Sequence, residues 1–122
     1  MRSANWTAGL ALAGVLAFGG EAGAVSFNCA EASKPDEFAI CKNTELSILD
    51  SVMAQVWKIN KDMPYLMGQR GELKDSQEDF LSQRAACGSD TYCIEQLYKK
   101  RIDTLTNEVV DFGQQAGQDG CN

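Results

Sequence analysis

No histidine occurs in the 122 residues of this chain. That absence removes Ser-His-Asp and Cys-His triads, histidine-bearing zinc or haem sites, and the usual switch near neutral pH. Basic charge is scarce too: eleven Lys and Arg stand against seventeen Asp and Glu, a formal net charge of −6. A nucleic-acid binder shows the opposite balance, so that class is excluded. Nor is there a CxxC pair, a G-x-S-x-G elbow or an EF-hand loop. Thiol exchange, serine-hydrolase chemistry and calcium binding therefore lack a sequence basis. The expectation is a non-enzymatic chain with no cofactor and no metal. No apolar run approaches the roughly 20 residues that span a bilayer.

What is present is ordinary globular composition, 44% apolar and 23% charged, in a length that suits one domain. The first 24 residues read as a signal peptide: Arg2 as its positive start, Leu10 to Phe18 as the apolar run, and Ala22-Gly23-Ala24 as the small-residue cleavage site. Arg2 and Glu21 leave together, so the net charge is unchanged. A lipid anchor would need a cysteine directly after the cleaved residues, but Val25, Ser26, Phe27 and Asn28 precede Cys29. The expected product is periplasmic or secreted, without a membrane anchor.

The remainder predicts helices. Ser33 to Asp36 reads as a helix start, with Ser33 as cap, Pro35 in the first turn and Asp36 at the positive helix end. A short helix closes at Cys41. Asn43 caps the next, Thr44 to Asp62, on which Leu46, Leu49, Met53, Val56 and Asn60 share a face, with Ile48, Val52 and Ile59 widening the stripe. Met63-Pro64 ends it. Pro64 to Gly71 reads as the main connection and Glu72 to Ala86 as a third helix, with Leu73, Gln77, Phe80, Leu81 and Arg84 inward. After a Gly88-Ser89-Asp90 break, Asp90 or Thr91 starts a last helix carrying Ile94, Leu97, Tyr98, Ile102, Leu105 and Val109. Residues 113–122 read as a flexible tail, leaving 25–112 as the folded domain. The fold class is all-α: a small disulfide-stapled bundle of one short and three longer helices.

An exported small domain with several cysteines reads as a disulfide framework. Local spacing favours Cys29 with Cys41, across the first helix, and Cys87 with Cys93, across the corner. Cys121 is left over. It is open to a free thiol, to pairing with a small thiol, or to a disulfide-linked dimer in place of a monomer.

These residues also spell a pattern. Ser26-Phe27-Asn28-Cys29-Ala30 leads through the Ser33, Pro35 and Glu37 helix start to Ile40-Cys41; then come Glu45-Leu46, Leu49-Asp50, Leu73, Gln77, Phe80-Leu81, Arg84 and Cys87; then Cys93-Ile94, Tyr98 and Arg101-Ile102 with Leu105. This resembles the LprI-type lysozyme-inhibitor domain, which reads F-x-C-x-x-A, I-C, L-x-x-L-D, Q-x-x-W-L-x-x-R-x-x-C and C-L-x-x-x-Y-x-x-R-I. Phe80 stands where that family has tryptophan, and Trp57 where a tyrosine is common. The resemblance implies a secreted helical domain whose partner is a basic lysozyme, held by complementary charge and blocked at its glycosidase cleft. An inhibitor of that kind would use an exposed loop. The candidates are the exposed stretch from Tyr65 to Glu72, with Tyr65, Arg70 and Glu72, and the corner holding Ser89 and Asp90. The competing reading is a non-enzymatic envelope interaction protein without lysozyme activity: a toxin immunity protein, a secretion accessory or a host-directed factor. Phe80, Trp57 and Tyr98 are expected in the core, and Arg84 and Arg101 to pair with Asp50, Glu95 or Asp79.

Overall fold

The computed structural model describes residues 25–120. The signal-peptide reading of residues 1–24, and Cys121, lie outside that range. A 3-10 turn, Cys29–Glu31, precedes α1 (Pro35–Lys42), α2 (Thr44–Asp62), α3 (Met67–Ala86) and α4 (Thr91–Asp119). There is no strand among the described residues, and none of their helices is long and apolar enough to cross a membrane. The bundle is one short and three longer helices.

Chain reversals after α2 and after α3 make α2 and α4 run the same way. Contacts climb α4 in step with α2 and the connection after it: Tyr98 to Asp50, Asn60 to the Leu105 carbonyl, and then Tyr65, just past α2, edge-on to Phe112. The helix starts are locally encoded. Asn43 accepts from the Leu46 N–H at 3.1 Å and Asp90 from the Cys93 N–H at 3.0 Å, each satisfying an orphan donor of the first turn. At α1 the cap position is Lys34 rather than Ser33. The Glu37 carboxylate reaches back to the backbone N–H of Ser33 and Lys34, at 2.8 and 3.1 Å.

Ile40, Leu46, Met53, Leu73, Phe80, Ile94, Tyr98 and Leu105 form the core. Phe80 and Tyr98 meet edge to face with centroids 5.3 Å apart. Trp57 is half-buried at the core's rim rather than inside it, while Ile48, Val52, Ile59 and Leu81 stay exposed. Both expected bridges are present. Cys29–Cys41 ties the N-terminal segment to the end of α1, and Cys87–Cys93 clamps α3 to α4 around Gly88, whose φ is +57°.

Two boundaries differ from expectation. α3 starts at Met67, so most of the expected connection is helix. The Gln69 side chain accepts from the Leu66 N–H, and Arg70 holds the carbonyls of Tyr65 and Met63. These bonds fix the entry despite Gly68 and Gly71. α4 runs on to Asp119, so 113–119 is helix rather than a loose tail.

Candidate functional site

The residues that carry chemistry fall into an interior network and a surface cleft. The network begins at Arg84, on α3. Its Nε donates to Asp36 Oδ2 at 2.7 Å, one Nη donates to the Tyr98 hydroxyl at 3.1 Å, and the same nitrogen lies 4.0 Å from Asp50. Tyr98 in turn donates to Asp50 Oδ1 at 2.8 Å. The Ser26 backbone N–H donates to Asp50 Oδ2, its hydroxyl donates to Oδ1 at 3.0 Å, and Phe27 lies against the Arg84 guanidinium, 5.6 Å from centroid to Cζ. Four helices' worth of buried polarity is thus tied to the N-terminal segment. Burial first, then Asp50, pushes the Tyr98 phenol far above its ordinary value. Burial opposes the Arg84 charge, but Tyr98 and Asp36 outweigh it and hold the guanidinium above its usual value.

This partnership corrects two expectations. Asp36 holds its expected place in the first turn of α1, but it is buried there as the nearest carboxylate partner of Arg84, a pairing not among those expected. Among the described residues Arg101 pairs with no carboxylate: it donates to Gln77 and Ser76, each at 3.1 Å, with Trp57 beside it at 5.8 Å. Glu95 pairs with Lys99, and Asp79 accepts from Gln83. The resemblance residues Asp50, Arg84, Cys87, Cys93, Ile94, Tyr98 and Arg101 therefore build the interior and its clasps. They hold the fold together.

The surface candidates scatter. Asp90 is occupied in capping α4, and Ser89 sits exposed beside it on a corner closed by a disulfide. Arg70 turns toward α2, its guanidinium on the Tyr65 and Met63 carbonyls. Tyr65 and Glu72 do come together. They line a cleft of about 330 Å³ between the first half of α3 and the last half of α4, with Glu108, Asp111 and Phe112 opposite. Three carboxylates and no cation line this cleft. Glu108 adds to burial in raising the Tyr65 phenol above its ordinary value. Beside its mouth the corner exposes Leu66 and Met67, 77% and 90% accessible. Such bare apolar side chains at a bundle tip suit contact with another surface.

Glu108, Asp111 and Phe112 were not singled out from sequence. The signal was there in spacing: Glu108, Asp111, Phe112 and Gln115 recur at three- and four-residue intervals, as do Gln69, Glu72 and Ser76 on α3, so each set shares one face. Among the described residues no three His, Cys, Asp or Glu side chains could hold a metal ion.

No family model, no curated protein and no solved structure matches this chain.

Proposed function

We propose that this is a non-enzymatic, exported domain that binds and occludes a basic lysozyme. The acid-lined cleft carries the reading. Glu72, Glu108 and Asp111 face one opening that no lining residue neutralises. A lysine or arginine of a basic partner entering it would exchange water for carboxylates, and Tyr65 and Phe112 would cover its aliphatic stem. Leu66 and Met67, at the adjoining tip, are the side chains that would enter the enzyme's cleft. The disulfides fit an oxidising compartment, and the resemblance in the core residues supports the same class. The corner of Ser89 and Asp90 has no part in this surface.

The test is lysozyme turnover of cell-wall substrate with and without the oxidised domain. Inhibition that is reversible and competitive with glycan is expected. E72K with D111K should weaken binding at least tenfold. No binding at low salt would end the lysozyme reading and leave an envelope interaction partner of another kind.

A further inference from the structure

Across α3 from the acidic cleft lies a groove of opposite sign. Leu73 walls both. On the α2 side, a cavity of about 260 Å³ is lined by Trp57, Asn60, Lys61, Arg70, Leu73 and Lys74. Every ionisable group in that lining is a cation, although the whole chain has a net charge of −6. Among the described residues no carboxylate pairs with Lys61 or Arg70. Lys74 has one partner, Glu78 at 3.9 Å, with both side chains mostly in water, where such pairs hold little.

The cations are not merely near one another. Arg70 is fixed in place, its Nε donating to the Tyr65 carbonyl at 3.0 Å and one Nη to the Met63 carbonyl at 3.3 Å. An arginine so held has already given up its rotamer freedom, which lowers the cost of binding an anion with the rest of its fork. Lys61 rests over the Trp57 ring, 5.9 Å from its centre, and Arg101, outside the groove lining, lies 5.8 Å from it, so a ligand reaches the indole as the Lys61 side chain swings from the ring onto the ligand's anionic group. The floor is apolar: Leu73 is buried and Trp57 half-buried. Asn60 is already committed, donating to the Val56 and Leu105 carbonyls and accepting from Tyr65. It therefore fixes the wall and leaves recognition to the cations and the indole.

A platform of indole and leucine rimmed by three cations fits a ring with a C–H face and one negative group. The carbon-bound hydrogens of a pyranose carry the partial positive charge that the electron-rich face of an indole attracts. We infer that the α2–α3 groove binds an acidic monosaccharide unit, its ring on Trp57 and Leu73 and its carboxylate or phosphate held by Arg70, Lys61 and Lys74. This site is independent of the lysozyme reading, since it uses the opposite side of α3 and the opposite charge.

The test is a fluorescence titration of the full chain with glucuronate, glucose 6-phosphate, glucose and benzoate at low salt. The chain has two tryptophans, Trp6 and Trp57, so W6F isolates the reporting ring. Saturable change is expected with glucuronate or glucose 6-phosphate, and whichever binds tighter identifies carboxylate or phosphate as the natural group. Glucose should be inert and benzoate at least tenfold weaker. K61Q with K74Q should weaken the acidic sugar at least tenfold with the helical circular dichroism unchanged, and W57F should abolish the change seen in W6F. Equal response to glucose or benzoate, an unaltered K61Q/K74Q double variant, or no response to either acidic sugar would overturn the assignment.

Discussion

At the scale of the residue, the network around Arg84 is governed by a local charge imbalance. Asp36 and Asp50 are both fully buried, and one guanidinium, that of Arg84, serves them. Asp36 Oδ1 is buried with no hydrogen-bond partner among the described residues. Removing the cation leaves two uncompensated carboxylates, whereas neutralising Asp36 removes the surplus and keeps an acceptor for Arg84. R84Q is therefore expected to cost about 3–5 kcal/mol and D36N no more than about 1–2 kcal/mol, read from urea unfolding. Equal losses would show that the Asp36 charge is needed in full. Tyr98 supplies a pH dependence with a definite sign. Its folded-state pKa is raised, so its contribution is complete below the unfolded phenol value near 10 and is lost as pH climbs past it. Unfolding midpoints should fall above about pH 10, and Y98F should flatten that alkaline slope while lowering stability at neutral pH. Tyr65, also raised, leaves a smaller residual slope.

At the scale of the element, glycines separate two kinds of position. Gly88 turns the chain between α3 and α4 with φ +57°, a region that costs an L-residue about 1–2 kcal/mol. Gly68, Gly71 and Gly113 sit inside helices, and a Cβ at any of them meets nothing within 4 Å. G88A should destabilise by about 1 kcal/mol, while G68A, G71A and G113A should each stabilise by up to about 1 kcal/mol. Thermal melts of the four variants decide the matter. A stabilising G88A would mean that the corner relaxes out of its turn. The same glycines explain what was hard to read. α2 was legible end to end, because Asn43, the 3-4 stripe and Met63-Pro64 are all local signals. Gly68-x-x-Gly71 reads as a break, but the bonds that start α3 at Met67 come from Gln69 and Arg70, whose types do not announce a cap. Beyond Phe112 there is no apolar stripe and residues 113–119 are exposed, so no packing pattern marked the last two turns of α4. The pairing of Asp36 with Arg84 was hidden for a related reason: the two lie 48 positions apart, and several carboxylates could have served Arg84 equally well. The bridges were legible because each closes locally. The cleft was half legible, since Tyr65 and Glu72 were found as loop residues while their opposite wall was not.

At the scale of the whole molecule, charge acts in two separable ways. The net charge sets the long-range field that steers a basic partner, and the cleft carboxylates set the contacts that hold it. The two can be told apart by moving the same amount of charge at different places. E72K with D111K alters the cleft. E31K with E45K makes an equal change at the opposite end of the bundle, where the 3-10 turn and the first turn of α2 expose both residues. Against a basic lysozyme, both double variants should slow association, because both weaken the overall field. Only the cleft variant should speed dissociation, because only it removes groups in contact. Salt gives the second axis. Between about 10 mM and 150 mM the screening length falls from about 30 Å to about 8 Å, and the association rate of the unmodified protein should drop at least tenfold. Dissociation should change far less, since contacts inside a closed cleft lie within the screening length. If the two double variants dissociate at the same rate, the partner is held elsewhere and the acidic cleft contributes only to the field.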